Sequence, residues 1–292
     1  MQIDICWWNT KLTPPVKKTI NKVPDPTLDK QVDDVIEKIT SDRKIDLFVL
    51  CEVYKQNEPL IAKIAAQNEF EYLMLTKHVS GVYYDFALMF EKTKIEIVNF
   101  EFINEKSGFN QQLRIGVIVE ALFDGVEVSL FISHWNSAMF SGDDKKEYCA
   151  GKLRDKIDSH FRMSKFKVGE LLIILIGDYN SQPFDKVITR TLITSKDIDI
   201  VESIPTVLYN PFWRSLDKRS VNHYFSGSYF YKDDEFDKWK TFDQMMFSSD
   251  FIHGCSWKLD IYSADIHDEF KGLDFEFTDI FDHIPIHGRI KK

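Results

Sequence analysis

The segment 171–185, LLIILIGDYNSQPFD, is an apolar run that ends in polar residues able to do chemistry. The apolar residues predict a buried strand, and Gly177 lets the backbone turn sharply where that strand stops. Asp178 and Asn180 follow, two residues apart and therefore on the same side of the chain. The carboxylate can accept a proton or face a metal ion, and the carboxamide offers a donor and an acceptor. The core does not need this pair, whereas hydrolysis of a phosphate ester does.

Five other apolar runs end in, or are interrupted by, polar residues of the same kinds. In chain order these residues are Asn9, Glu52, His134 with Asn136, Asp243, and Asp282 with His283. An isolated aspartate or asparagine in a loop forms a turn more often than a catalytic site. Six polar groups placed in this way along one chain are poorly explained by chance.

The ordered set resembles the endonuclease/exonuclease/phosphatase superfamily, which includes deoxyribonuclease-like enzymes, over nearly the whole chain. The segments GDYN (177–180) and FDHIPI (281–286) are the specific ones, and CEV (51–53) and SHWN (133–136) support them. The resemblance implies an α+β fold, a two-layer β-sandwich flanked by helices in four α/β/β/α layers. It also implies that the site lies at one edge of the sandwich.

Glu52 is the best single candidate for a metal ligand, because it is a carboxylate at a strand end and offers only oxygen. Such a ligand suits Mg²⁺, with Mn²⁺ as an alternative. The competing interpretation is a surface glutamate that caps a loop. The resemblance implies that Asp282 lies against the metal, and that Asn9 either holds the same metal through its neighbours or touches the phosphate. It also implies that Asp178 orients or deprotonates the attacking water, while Asn180 holds a phosphoryl oxygen.

His134 and His283 would flank the scissile phosphate by the same resemblance. An unperturbed imidazole has a pKa near ~6.5 and can act as a base or as a hydrogen-bond donor near neutrality. Asp243 lies in an otherwise apolar strand, and a buried carboxylate needs a partner. The resemblance pairs Asp243 with His283, which would fix the tautomer of the imidazole.

Three further positions are candidates for substrate binding. Arg114 is either a phosphate contact or an exposed arginine at a strand end. Tyr84, with Tyr83 and Asp85 beside it, lies roughly where the family places a partner for the first histidine or a catalytic tyrosine. The sequence alone does not show which of Tyr83, Tyr84 and Asp85 has this role. Asn136 either contacts the phosphate or closes the turn after His134.

Local patterns predict some of the elements that position these residues. Apolar side chains at helical spacing predict a helix over 28–41. Asp124-Gly125 predicts a hairpin turn between strands at 112–122 and 126–133. Another helix is predicted over 184–194.

The chain has 292 residues and a net charge of −9, and it is predicted to fold as a single domain, 1–292. The acidic balance argues against a broad basic surface for nucleic acid. It does not exclude a nuclease, because a metal ion and a few local cations can neutralise one phosphate. No protein partner is evident.

The expected location is the cytoplasm. No apolar run reaches the roughly 20 residues that span a bilayer, and the N-terminus lacks the pattern of a signal peptide. The four cysteines are far apart and lie mostly in apolar runs, so they are expected to be reduced core thiols. Zinc ligands are not expected, since no CxxC or paired-histidine spacing occurs.

Residues 205–240 combine aromatic side chains with basic ones just before the strand that holds Asp243. The basic residues include Arg214, Lys218, Arg219 and His223. Such a mixture can stack bases and neutralise phosphates, or it can be a long loop pinned to the sandwich by its aromatic rings. The segment is the candidate substrate-recognition insert.

The favoured function is a Mg²⁺-dependent phosphodiesterase, a nuclease acting on DNA or RNA. The alternatives are a phosphatase for a small phosphorylated metabolite or an inositol or lipid headgroup, and an inactive binding module. The inositol alternative is weakened because Gln244 follows Asp243, where many relatives carry tyrosine or arginine. The binding module is disfavoured because every residue of the polar set is present.

Overall fold

A computed structural model describes residues 1–106, 112–137, 143–164, 169–217, 225–267, 270 and 272–292. Lys218, Arg219 and His223 of the candidate insert lie outside this part of the chain. No helix among the described residues is long and apolar enough to cross a membrane.

Along the described residues, single α-helices separate groups of one to five consecutive strands. In order, the strands are β1 (Gln2–Asn9), β2 (Leu47–Cys51), β3 (Glu71–Val79), β4 (Val82–Phe90), β5 (Ile95–Lys106), β6 (Gln112–Phe123), β7 (Val126–His134), β8 (Ile173–Asp178), β9 (Thr194–Ser195), β10 (Leu208–Tyr209), β11 (Tyr229–Phe230), β12 (Trp239–Lys240), β13 (Asp243–Phe247), β14 (Lys258–Leu259), β15 (Asp265–Ile266) and β16 (Ile286–Lys291). The α-helices are α1 (Pro26–Asp42), α2 (Glu58–Gln67), α3 (Asp143–Ser164), α4 (Ile198–Ser203), α5 (Asp250–His253) and α6 (Phe277–Ile280).

Two mixed sheets form the sandwich. The first sheet has the order β14-β16-β1-β2-β4-β3, with β15 also paired to β16, and the second has the order β5-β6-β7-β8-β13-β10-β9. β1 runs parallel to β2, and β7 runs parallel to β8. Because parallel neighbours end at the same edge of a sheet, the residues after β1 and β2 lie at one edge of the first sheet, and those after β7 and β8 lie at one edge of the second.

The core shows why these strands must lie between two layers. On β8, Ile174 and Ile176 belong to an apolar cluster that draws on both sheets, whereas Ile173 and Leu175 belong to a cluster beneath α3. Successive strand residues point to opposite faces, so β8 is buried on both sides. Residues of α1 and α2 pack against the cluster that both sheets share. The predicted sandwich flanked by helices is therefore confirmed.

Sequence signals at the ends of two elements agree with the structure. α1 begins after Asp25, whose side chain accepts a hydrogen bond from the Thr27 N–H at 2.9 Å, as an N-terminal cap should. Between β6 and β7, Asp124 and Gly125 have φ angles of 47° and 76°, which is the left-handed backbone of a tight hairpin turn. The helix predicted over 184–194 is wrong in extent: only Val187–Thr191 forms a helical turn, of the wide π type, and β9 begins at Thr194.

Candidate active site

The polar residues singled out in the sequence converge at one edge of the sandwich. Asn9 ends β1 and Glu52 follows β2, while His134 ends β7 and Asp178 ends β8. β13 runs antiparallel to β8, and this direction places Asp243 directly opposite Asp178. His283 and Asp282 lie between α6 and β16 and reach the same edge.

Gly177 is required for the close approach of β7 and β8. A Cβ atom at this position would lie 2.1 Å from the carbonyl oxygen of Ser133, its partner residue on β7. The contact is with backbone, so neither strand can relieve it by a side-chain rotation. The glycine before Asp178 therefore lets the two strand ends stay together.

We expect Gly177→Ala to lower the free energy of unfolding by about 1–3 kcal/mol, because overpacking forces the backbone to shift. Gly151→Ala is the matched control, since its Cβ would meet open space on α3 and alanine favours a helix by about 0.5–1 kcal/mol. Urea-induced unfolding of both variants measures the difference. Equal stabilities of the two variants would contradict the close approach.

His283 and Asp243 form a buried pair. The Asp243 Oδ2 lies 2.8 Å from the His283 Nδ1, and its Oδ1 accepts a hydrogen bond from the Trp7 Nε1–H at 2.7 Å. Because a carboxylate only accepts, Nδ1 carries the proton that it donates to Asp243. Burial alone would lower the pKa of His283, but the carboxylates of Asp243 and Asp178 outweigh it and raise the pKa to about 10.

His134 has an equivalent partner in Asp85. The Asp85 Oδ2 lies 2.9 Å from the His134 Nδ1, and the Asp85 Oδ1 lies 3.5 Å from Nη1 of Arg114. Burial would raise the pKa of Asp85, but Arg114 and His134 together hold it below its usual value. The Cys51 Sγ also contacts the His134 Nδ1, at 3.0 Å. Of the three adjacent candidates in the sequence, Asp85 is the partner of the first histidine.

The prediction of Tyr84 as a substrate-binding residue is wrong. Its side chain is fully buried, and its hydroxyl donates a hydrogen bond to the carbonyl of Ile103 at 2.7 Å. Strand alternation explains the difference, since Tyr84 points away from the face that carries Asp85 and Tyr83. Tyr83 lines the cavity instead.

Arg114 is not the exposed strand-end arginine that one alternative described. Its side chain is buried, and its Nε–H donates to the carbonyl oxygen of His134 at 2.6 Å. It nevertheless lines the cavity beside His134. Asn136 lies at the exposed rim of the same cavity.

Asp178 lies between the two imidazoles. Its Oδ2 is 3.8 Å from Nε2 of His134 and 3.7 Å from Nε2 of His283. Its Oδ1 accepts a hydrogen bond from the Asn180 N–H at 2.9 Å, and burial raises the pKa of Asp178. Asn180 donates one of its two amide protons to the Trp135 carbonyl. Among the described residues the second amide proton has no partner, so it can bind a ligand in the cavity.

Glu52 has the environment of a cation ligand. Its φ of 57° is left-handed and strained for a non-glycine residue, and strain of this kind accumulates at functional sites. Its carboxylate has no hydrogen bond from the described residues, and its distance to Nε2 of His134 is 3.9 Å. Burial raises the pKa of Glu52 to about 7. A buried carboxylate without donors is stabilised by a cation.

The surrounding donors fit a hard divalent ion. Asn9 is buried and lines the cavity together with Glu52 and Asp282. All three offer oxygen, the ligand atom that Mg²⁺ and Mn²⁺ prefer. Asp282 is partly exposed and lies 3.8 Å from Nζ of Lys11. Asn9, Glu52 and Asp282 are thus the residues that could hold a metal here.

A cavity of about 520 Å³ opens onto these groups. Its lining includes every predicted site residue except Tyr84 and Asp243, which supports His283 from behind. The structure adds two residues to the site that the sequence analysis did not single out. Tyr229 lines the wall beside His283, with ring centroids 4.7 Å apart, and Cys51 lies behind His134.

Residues 16–270 match the sequence model of the Endonuclease/Exonuclease/phosphatase family. The chain belongs to this family. Its fold agrees with this family, and the chain is a metal-dependent phosphoesterase of the endonuclease/exonuclease/phosphatase type. No curated protein matches the sequence.

Solved structures of the same fold include two eukaryotic proteins. The catalytic domain of human Nocturnin with bound sulfate has a TM-score of 0.58 and 15% identity, with 99% of this chain and 94% of that chain covered. TDP2 from D. rerio, complexed with a single-strand DNA product, has a TM-score of 0.58 and 15% identity, with 100% and 99% covered. A family protein from Bacteroides thetaiotaomicron has a TM-score of 0.60 and 13% identity, with 99% and 95% covered. Identities this low establish the shared fold alone.

Proposed function

We propose that this endonuclease/exonuclease/phosphatase protein is a Mg²⁺-dependent phosphodiesterase that cleaves DNA or RNA. One observation carries the proposal. The Asp178 Oδ2 lies 3.7–3.8 Å from Nε2 of two imidazoles, and each imidazole is fixed through Nδ1 by a buried aspartate. This arrangement supports attack on one side of a phosphate while donors neutralise its oxygens.

Each residue has a role that follows from its charge. Asp178 orients the attacking water and accepts its proton, for which a raised pKa is suited. His283 is a cation at neutral pH because of its carboxylate partners, so its Nε2–H donates to a phosphoryl oxygen. His134 and the free amide proton of Asn180 are donors to other oxygens of the phosphate.

The metal completes the charge balance of this site. Glu52, with Asn9 and Asp282, would hold Mg²⁺, or Mn²⁺ as an alternative, and a bound ion neutralises phosphoryl and leaving oxygens. Without a cation, Glu52, Asp178 and Asp282 would repel the phosphate. Arg114 is already committed to Asp85, so it adds only part of the needed positive charge.

The insert over 205–240 supports a substrate larger than one phosphate group. Tyr229 of this insert stacks on Phe242 with ring centroids 5.2 Å apart and planes at 20°, and it also reaches His283. The Phe230 N–H binds the carbonyl of Asp282 at 2.7 Å, which fastens the insert to the site. An aromatic face beside the scissile position favours stacking of a base. That TDP2 is seen with a single-strand DNA product supports the same substrate class.

A phosphatase of a small phosphorylated metabolite is the second candidate. The net charge of −9 favours it, because long nucleic acids are repelled by an acidic protein. An inactive binding module is not proposed, since both His–Asp pairs and the metal-ligand candidates are assembled. The cytoplasmic location stays a prediction.

The test is a substrate panel for the purified protein with Mg²⁺, Mn²⁺ or chelator. Plasmid DNA, single-stranded DNA and RNA are scored for cleavage, and phosphorylated sugars, nucleotides and inositol phosphates are scored for released phosphate. We expect metal-dependent cleavage of at least one of the three nucleic acids. Phosphate release from small substrates alone would replace the proposal by the second candidate.

Glu52→Gln tests the metal site by binding. We expect the affinity for Mn²⁺, measured by calorimetry, to fall at least about 10-fold, since one ionised ligand is lost. Glu71→Gln, at an exposed position on β3, is the matched control and should bind Mn²⁺ as the wild type does. Unchanged affinity in Glu52→Gln would remove Glu52 from the metal site.

A further inference from the structure

A second group of side chains that could bind a metal lies on the Nδ1 side of His134, whereas the Glu52 carboxylate lies 3.9 Å from Nε2 of the same ring. It consists of Cys51 at the end of β2, Asp85 on β4 and His134 at the end of β7. The three side chains are buried. They come from both sheets, so the sandwich itself holds them together.

The three ligand atoms form a small triangle. The Cys51 Sγ is 3.0 Å from the His134 Nδ1, the Asp85 Oδ2 is 2.9 Å from the same Nδ1, and Sγ is 3.8 Å from Oδ2. Tetrahedral zinc has bonds of about 2.0–2.3 Å to these atom types, so its ligand atoms lie roughly 3.4–3.6 Å apart. Two edges of the triangle would open by about half an ångström, which small side-chain rotations provide.

We propose that Cys51, Asp85 and His134 form a binding site for a thiophilic divalent cation, Zn²⁺, separate from the oxygen-donor site of the phosphoesterase. Thiolate, imidazole and carboxylate together are a zinc donor set, whereas Mg²⁺ takes oxygen ligands and avoids sulfur. The two ions are therefore sorted by ligand chemistry although their sites are adjacent.

Zinc binding is balanced in charge and protons. The Cys51 thiol and the His134 Nδ1 each release a proton to solvent, and His134 keeps the proton on Nε2. The thiolate and the Asp85 carboxylate then neutralise the ion, while Arg114 stays beside Asp85. His134 loses its hydrogen bond to Asp85 and is held by the metal instead.

The functional consequence is inhibition, and this part rests on the proposed function. An imidazole bound through Nδ1 and turned toward zinc cannot keep its geometry relative to Asp178. Zn²⁺ at a level far below that of Mg²⁺ should therefore inhibit hydrolysis without displacing Mg²⁺ from Glu52.

Binding is tested first, on the full chain, by titration with Co²⁺ as a spectroscopic substitute for zinc. Wild type and Cys255→Ser, which removes the exposed thiol, should show a sulfur-to-cobalt charge-transfer band that saturates at one ion per chain and is reversed by Zn²⁺. Cys51→Ser should lack the band. A band that persists in Cys51→Ser, or no band in the wild type, would overturn the site.

Two further measurements distinguish an unfolded variant, a wrong zinc site and a wrong proposed function. Circular dichroism checks that Cys51→Ser is folded, and Cys51→Ala is used in its place if it is not. In the hydrolysis assay with saturating Mg²⁺, Zn²⁺ should inhibit the wild type at least about 10 times more strongly than the Cys51 variant. Equal inhibition would place zinc among the Glu52 carboxylates, and an inactive wild type that still shows the cobalt band would refute the proposed function but not the zinc site.

Discussion

Replacing Asp178 by asparagine should lower the turnover number about 100- to 10,000-fold, the usual contribution of a positioned proton acceptor. Asparagine keeps the shape of the side chain and still accepts the hydrogen bond from the Asn180 N–H. It removes the charge that lies between the two imidazoles. Steady-state rates on the panel's best substrate measure the loss.

Asp199→Asn is the matched control, because that residue is an exposed aspartate on α4. It should retain wild-type turnover. If Asp178→Asn matched this control, proton acceptance would have to be assigned to another residue. Unfolding curves of both variants separate a lost proton acceptor from a lost fold.

Asp243→Asn should move the alkaline limit of activity to lower pH. Asp243 contributes to the elevated pKa of His283, which is about 10. The imidazolium that donates to the phosphate is therefore present below that value and is lost as pH rises through it. Without the Asp243 charge, the pKa falls toward the usual ~6.5, and activity should decline at a lower pH than in the wild type.

The pH dependence of kcat/KM measures this shift, with His283→Ala as the reference for a missing donor. We expect His283→Ala to lose activity about 100- to 10,000-fold at pH values below the alkaline limit of the wild type. A wild-type pH profile in Asp243→Asn would show that Asp243 does not charge His283. The Trp7 indole that also binds Asp243 should keep the variant folded.

Much of the site was predictable because buried charge is visible in a sequence. Asp243 lies in the strand DQMMF, and a carboxylate in such a run must have a partner. The partner, His283, is at a strand boundary 40 residues further on. Asp85 lies in VYYDFALMF and carries the same signal. This signal made Asp85 a candidate, but it does not explain why Asp85, and not Tyr84, is the partner of His134.

What could not be predicted depends on contacts between distant residues. Tyr84 and Asp85 differ only in the face of β4 that they occupy, and the register of the sheet decides this. Cys51 was expected to be a reduced core thiol without metal-ligand spacing. It meets a histidine 83 residues away, a distance that no local spacing rule covers.

The short π-type turn at Val187–Thr191 shows the limit for secondary structure. The segment has apolar residues at helical spacing, but β9 begins at Thr194 and pairs with β10. Sheet pairing therefore ends the helix earlier than propensity indicates. The strand ends that carry Asn9, Glu52, His134 and Asp178 were predictable, because long apolar runs mark where strands stop.

The most direct test of the central claim uses two substrates. One is bis(p-nitrophenyl) phosphate, a phosphodiester without bases or nucleic-acid structure, and the other is a single-stranded DNA oligonucleotide. The purified protein is assayed with Mg²⁺, with Mn²⁺, and with chelator, and Asp178→Asn is assayed in parallel to expose contaminating nuclease. The proposed site predicts that hydrolysis requires both the metal and Asp178. Hydrolysis that survives chelator or the Asp178→Asn change, or no hydrolysis of either diester with the metal bound, would contradict a phosphodiesterase site at this edge of the sandwich.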